Sequence, residues 1–378
     1  MVMAKRKFRL PGVEDLNKDQ DRVLRLPEDG QFLIVGGPGT GKSVVALLRA
    51  MKFSDNDYLF LAYNHTLHSL SKQLTGFDLK ADTLKSWFYK LQYKLTKKYM
   101  PEIRDRKIDY DKVIEIFKEN EEPASDLHIL IDEGQDMPIK FYDSLIELGF
   151  ENFFIVADQN QQITDENSSR KELSDILGLE VKDVIELKQN YRNSHPVALV
   201  AQHFFTDKSS PKPELPEALK AALGTPILYE YKDFNQCIKF ILREADRDLT
   251  NLIGVVVAKT EILDICKGKL GGVEIELDNP RPIIQSYSSK NKQDVNIDFS
   301  EGGVVVLNDK SIKGLEFDVV FVMLNGFEIY NNDEDSMRKR LYVMSSRAIK
   351  KLIFFQSSEN DITKILPSNN ILQRKELS

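Results

Sequence analysis

Residues 36–43 read Gly-Gly-Pro-Gly-Thr-Gly-Lys-Ser, which satisfies the spacing G-x-x-x-x-G-K-S. Glycines there let the backbone turn so that successive N–H groups point inward at a phosphate. The cradle would be Gly37, Gly39, Thr40 and Gly41, with Lys42 reaching the β- and γ-phosphates of a nucleotide and the Ser43 hydroxyl ligating Mg²⁺. A plain Gly/Pro loop between buried elements does not explain a Lys and a Ser at the prescribed places. A second group with chemistry is Asp132-Glu133-Gly134-Gln135-Asp136. The first carboxylate can hold Mg²⁺, and Glu133 can orient and deprotonate an attacking water. An acidic turn is common on its own; beside Lys42 and Ser43 it becomes specific. Two glutamines complete the set. Gln20 can present its amide to the edge of adenine, and Gln161, after Ala157-Asp158, can sense a γ-phosphate. An exposed helix residue and a polar loop are the plainer readings of these two.

These groups need elements that hold them. The apolar run 32–35 before the glycines and the helix-like run 44–50 after them supply the strand–loop–helix setting of a phosphate loop, with the helix N-terminus adding its positive dipole end. Residues 127–131 form an apolar strand that ends at Asp132, and 153–156 form another that ends at Ala157. Further strands are expected at 58–63 and 184–187, with a helix at 67–74. The second half alternates again, with strands at 227–231, 252–258, 304–307 and 319–324 and helices at 235–246 and 260–270. Such alternation implies a second parallel α/β unit. Weak strand signals lie at 273–277 and 282–287. A helix is expected over 338–351, then a last strand at 353–355 and a frayed polar tail after Leu366.

At 378 residues the length suits two domains, and 42% hydrophobic with 29% charged residues describes a soluble globular chain. No stretch approaches the roughly 18 apolar residues of a membrane span, and the basic start lacks an apolar signal core, so no membrane and a cytoplasmic location are expected. Cys237 and Cys266 are too few for a disulfide framework or a zinc cluster. The net charge of −7 argues mildly against a protein coated in nucleic acid, without excluding a local basic groove. One stretch has that character: Lys85, Trp87, Phe88, Tyr89, Lys90, Tyr93, Lys94, Lys97, Lys98 and Tyr99 interleave aromatic and basic side chains, as single strands require. Leu84, Phe88, Leu91 and Leu95 recur at helical spacing, so a core-facing amphipathic helix explains part of it equally well.

Taken in order, these segments resemble the motifs of superfamily 1 helicases, in particular the UvrD/Rep-like group. Gln20 is similar to the adenine-reading Q motif and residues 36–43 to motif I. Tyr63, Asn64, His65 and Thr66 resemble motif Ia, and Thr83-Leu84-Lys85-Ser86-Trp87 motif Ib, both of which contact single strands. Residues 132–136 match Asp-Glu-x-Gln-Asp of motif II, and Asp158 with Gln161 match motif III. Gln189-Asn190-Tyr191-Arg192 resembles motif IV, Lys313-Gly314-Leu315-Glu316-Phe317 motif V, and Tyr342-Val343 with Ser346-Arg347-Ala348 motif VI.

The resemblance implies an α/β fold of two tandem RecA-like parallel-sheet domains with ATP in the cleft between them. Residues 1–185 would be the first, with a short insertion near 87–125, and 186–378 the second. It further implies that Asp132 binds Mg²⁺ with Ser43, that Glu133 is the base, and that Arg192 and Arg347 meet the γ-phosphate. Tyr191 would stack on adenine, Glu316, beside Gly314, would reach the ribose, and single-stranded nucleic acid, DNA favoured, would be the track, with 3′→5′ polarity. Three differences stand out. There is little room for the large insertions of relatives that unwind long duplexes. Ile163-Thr164-Asp165 replaces the aromatic residues of motif III, and Lys310 stands where a histidine is usual. These leave ATP hydrolysis intact and weaken the case for processive strand separation. A nucleic-acid-gated ATPase subunit serving an effector or repair partner is therefore the alternative to an autonomous motor. A small-molecule P-loop kinase shares only motif I.

Overall fold

The computed structural model describes all residues except 1–4, 7, 54–56, 77, 105–106, 120–124, 159–166, 208–211, 217–223, 289–294, 296, 359 and 378. The chain forms two compact units, Leu10–Lys188 and Gln189–Ser378, the latter joined by the first nine residues. Arg6 ties this N-terminal segment down, donating to Phe299 O at 3.0 Å and pairing with Asp318 at 2.8 Å.

The first unit runs α1 (Lys18–Leu24), β1 (Gln31–Gly36), α2 (Lys42–Ala50), β2 (Tyr58–Ala62), α3 (His65–Leu74), β3 (Ala81–Thr83), α4 (Leu84–Thr96), α5 (Tyr110–Glu119), β4 (Ser125–Ile131), α6 (Ile139–Glu147), β5 (Phe150–Ala157), α7 (Arg170–Ile176) and β6 (Ile185–Leu187). Its sheet has the order β3-β2-β4-β5-β1-β6, every pairing parallel. Strands such as β2, buried along its whole length, are apolar on both faces because helices cover both sides. One face packs Val45, Ala46, Leu47 and Ala50 of α2 against Phe60, Leu130 and Val156. The other packs Phe88, Phe117 and Phe141, with Phe88 and Phe141 edge-to-face at 5.1 Å.

The second unit runs α8 (His195–His203), β7 (Ile227–Glu230), α9 (Phe234–Arg247), β8 (Leu252–Val257), α10 (Thr260–Gly272), β9 (Ile284–Tyr287), β10 (Gly303–Asn308), β11 (Phe317–Met323), α11 (Glu334–Ser346), β12 (Ala348–Gln356), α12 (Asp361–Ile365) and β13 (Gln373–Glu376). Its sheet, ordered β13-β7-β12-β11-β8-β10-β9, is again parallel throughout. The expectation of two parallel-sheet α/β units holds.

Three local expectations fail. Residues 273–277 form no strand; Val273, Ile275 and Leu277 lie against the core as irregular chain. The helix expected to Lys351 ends at Ser346, and β12 starts at once with Ala348. Lys350 and Lys351 are not helix-face residues but strand residues bonded to Asp318 and Glu244. The tail is not frayed: β13 pairs in parallel with β7 through backbone alone, with its side chains exposed. Cys237 and Cys266 are both buried and free. No helix among the described residues is long and apolar enough to cross a membrane.

Candidate functional site

β1 delivers Gly36 to the carboxyl edge of its sheet. A Cβ there would lie 2.6 Å from Leu187 O and 2.7 Å from Thr40 Oγ1, so only glycine fits. Gly39 and Gly41 have φ of 75° and 87°, left-handed values that glycine adopts without strain. Thr40 Oγ1 donates to Gly37 O at 2.8 Å and so cross-braces the loop. Lys42 Nζ is folded over it, donating to Gly36 O at 2.7 Å and Gly37 O at 2.8 Å, with Asp158 Oδ2 at 3.7 Å. α2 opens at Lys42, and its N-cap, Gly41, brings no side chain to cap it. Gln20 is not the exposed helix residue of the plainer reading. It is buried, donates through Nε2 to Thr40 O at 2.9 Å, and accepts through Oε1 from Asn17 N at 3.1 Å.

Asp132 stands just past the end of β4, 1% exposed, with Oδ1 accepting from the Glu133 N–H at 2.9 Å. Oδ2 is buried without a hydrogen-bond partner. Burial above all, and then Glu133, push this carboxyl up to about 6; the Ser43 hydroxyl and Lys42 act the other way. A buried carboxylate beside the Ser43 hydroxyl that hydrogen-bonds it, with Oδ2 otherwise without a partner, fits a hard cation such as Mg²⁺, which takes oxygen ligands. Glu133 has φ 56°, and of the four non-glycine residues with positive φ among the described residues it alone is buried. Side chains tolerate that conformation only where surroundings enforce it. Here Tyr142 donates to Gly134 O at 2.6 Å, and a Cβ on Gly134 would strike Ile155 at 2.4 Å. Gln135, fully buried, donates to Glu133 Oε2 at 2.7 Å and accepts from the Asp158 N–H at 3.0 Å. Gln135 therefore joins the loop after β4 to the loop after β5. Gln161 lies outside the described residues.

Residues 21–166 match the family model of an AAA domain. The first unit carries a P-loop domain similar to that family. Among solved structures the chain is similar to a PRRSV helicase, at 14% identity over 91% of this chain and 55% of that one with a TM-score of 0.41. It is also similar to an arterivirus nonstructural protein 10, a helicase, at 12% identity over 93% and 64% with a TM-score of 0.38. A third is the C-terminal domain of a possible DNA helicase from Lactobacillus plantarum, at 14% identity over 49% and 98% with a TM-score of 0.33. The chain thus spans under two thirds of the two viral helicase chains. A search of curated protein sequences finds no match.

In the second unit three separated segments are tied together. Asn193 Nδ2 donates to Ser346 O at 2.9 Å and Ala348 O at 2.6 Å, the carbonyls on either side of Arg347. Asn190 holds the same turn, donating to Asn193 Oδ1 at 2.9 Å and accepting from the Arg192 N–H at 3.0 Å. The Phe317 N–H donates to Arg347 O at 3.0 Å, which adds the segment containing Gly314 (φ 81°) and Glu316. Arg192 forms an ion pair with Glu316, while its Nε and Nη1 are buried without hydrogen-bond partners. Arg347 is 2% exposed and donates through Nε to Val343 O at 3.2 Å. Tyr191 is half-buried, its hydroxyl bonded to Gln189, and Lys310 is exposed.

The six candidate nucleic-acid residues divide. Asn64 caps α3, accepting from the Leu67 N–H at 2.8 Å, and Thr83 caps α4, accepting from the Ser86 N–H at 3.3 Å. Tyr63 and Trp87 pack against the core, Trp87 edge-to-face with Phe150 at 6.0 Å. His65 and Lys85 are exposed. Gln135 and Asn193 are the residues that sequence reasoning passed over. Gln135 sat inside a quoted motif without a role, and Asn193 follows motif IV directly; their partners, 23 and more than 150 residues away, leave no local signal.

Proposed function

We propose that this protein hydrolyses ATP to drive movement on single-stranded nucleic acid, DNA favoured, in the manner of UvrD/Rep-like helicases. The observation that carries the reading is the pinning of Arg192 and Arg347 through Asn190 and Asn193, an arrangement that a small-molecule kinase does not need. In this mechanism residues 37–41 and Lys42 bind the phosphates, and Asp132 and Ser43 would hold Mg²⁺, which would offset charge on the phosphate oxygens. Glu133, oriented by Gln135, takes the proton of the attacking water. Arg192 and Arg347 meet the charge that spreads over the equatorial oxygens in the transition state. Tyr191 and Gln20 recognise adenine, and Glu316 leaves Arg192 for the ribose when nucleotide arrives. Arginines that meet the γ-phosphate only while ATP is bound make conformation depend on the nucleotide, and grip on the strand that alternates with it gives directed steps.

The test is steady-state ATP hydrolysis with and without single-stranded DNA or RNA, with Lys42→Ala as the blank. Strong stimulation by one of them is the expected result, and activity indifferent to both defeats the motor reading. The net charge of −7 favours a second version, a gated ATPase subunit that signals to an effector or repair protein. A strand-displacement assay separates the two, since only an autonomous motor unwinds without a partner.

A further inference from the structure

Residues 84–99 contain five lysines and no carboxylate, in a chain whose net charge is −7. α4 sorts this stretch by face. Leu84, Phe88 and Gln92 are buried, while Lys90, Tyr93, Lys94 and Lys97, spaced three and four apart, lie along the opposite face and are exposed. Tyr93 is 51% exposed and Tyr99 90% exposed, and their rings stand side by side with centroids 6.1 Å apart. The turn between them is fixed. Lys97 takes the left-handed conformation with its N–H on Tyr93 O at 2.9 Å, and Thr96 Oγ1 accepts from the Lys98 N–H at 3.1 Å. Lys94, Lys97 and Lys98 make no ion pair among the described residues, whereas Lys90 is taken by Asp82 at 2.6 Å.

Lysines at a helix C-terminus complement the dipole, which accounts for the charge and leaves the two bare rings unexplained. Exposed rings beside unpaired cations suit bases with π-faces on a chain of phosphates. We infer that Tyr93 and Tyr99 are a stacking platform for single-stranded nucleic acid, with Lys94, Lys97 and Lys98 on its phosphates. Trp87, committed to the core, is not part of it. The platform begins about 15 Å along α4 from Thr83, at ~1.5 Å per residue. The inference rests on the proposed function only in that a strand must bind.

The test is fluorescence anisotropy of a labelled oligothymidylate of about 20 nucleotides, longer than most single-strand sites, with nucleic-acid-free ATP hydrolysis measured in parallel. Tyr93→Ala with Tyr99→Ala should weaken binding by about tenfold or more, leave the basal hydrolysis unchanged, and regain affinity as the double Phe variant. Lys94→Gln with Lys98→Gln should make the slope of log affinity against log salt shallower by about 1.4, at ~0.7 per phosphate contact. A double Ala variant that binds as tightly as the native chain overturns the platform and leaves the motor reading intact; the face then serves a protein partner. A native chain that binds no oligonucleotide overturns both.

Discussion

Asp132 in the first unit and Arg192 in the second each bury polar atoms that meet no hydrogen-bond partner among the described residues, and the two groups are opposite in kind. In the first unit it is an acceptor, Asp132 Oδ2; in the second it is a donor, the Nε and Nη1 of Arg192. Buried groups without partners cost about 1–3 kcal/mol each, more when charged, and native proteins keep few of them. The acceptor lies by the Ser43 hydroxyl and Lys42, and the donors belong to the guanidinium that pairs with Glu316. Their rigidity has different origins too. The phosphate loop is shaped by glycines that nothing else can replace, whereas the arginines are placed by two asparagines, Asn190 holding the turn locally and Asn193 reaching across the fold. The contrast teaches what the proposed mechanism asks of each unit: an acceptor for Mg²⁺ beside a glycine-shaped loop in one, and guanidinium donors for phosphate charge in the other.

The sharpest way to break that contrast is to remove the answering charge. Arg347→Ala should lower kcat by about 10³-fold or more with nucleotide affinity little changed; an unchanged kcat refutes the assignment. Because Arg347 is buried, a thermal melt must accompany it, and Arg192→Ala, at a more open residue, provides the second reading. Glu133→Gln tests the other side. It keeps an oxygen for the Gln135 amide and removes the base, so kcat should fall by about 10²–10⁴-fold while ATP still binds. Retained turnover would move the base elsewhere.

Asn193→Ala asks whether the placement of the arginines, rather than their charge, matters. Two carbonyls beside Arg347 lose their donor, at a cost of about 2–3 kcal/mol. Stability should drop by that amount in a denaturant titration and kcat by roughly tenfold. A stability loss with unaltered kcat would show that the asparagine merely holds the fold.

How much of this was legible depends on the range of the forces. The phosphate loop was readable because its constraints are local: left-handed φ at Gly39 and Gly41 and a wall at Gly36 demand glycine in a contiguous run. Strands β8, β10 and β11 were readable because parallel strands covered on both faces must be apolar. β13 was not, because Gln373–Glu376 joins β7 by backbone bonds alone and buries no side chain that could mark it. The border at Arg347 misled because the helix expected over 338–351 ends at Ser346 and a strand begins at Ala348, its lysines at 350 and 351 paired with Asp318 and Glu244. α4 held both of its readings at once, a core face with Phe88 and an outer face with Tyr93, and only burial separates them.

The smallest expected effect concerns the orphaned carboxylate itself. Folding pushes Asp132 from an ordinary 3.8 up to about 6, chiefly by burial, so the folded chain holds this proton more tightly than the unfolded chain does. That contribution to stability is fully present below pH 4 and is lost as pH rises through about 6. A gap of about 2 at ~1.4 kcal/mol each sets a ceiling near 3 kcal/mol, and sharing of the charge with Glu133 lowers it. Asp132→Asn keeps the acceptor for the Glu133 N–H and cannot ionise. Without metal, its Tm should exceed that of the native chain by a few degrees at pH 7.5, and the difference should shrink toward pH 5. Added Mg²⁺ should raise the native Tm at pH 7.5 and leave the variant's where it was. A Tm difference independent of pH, or a variant that Mg²⁺ stabilises equally, would mean that Asp132 is neither strained by its charge nor waiting for a cation.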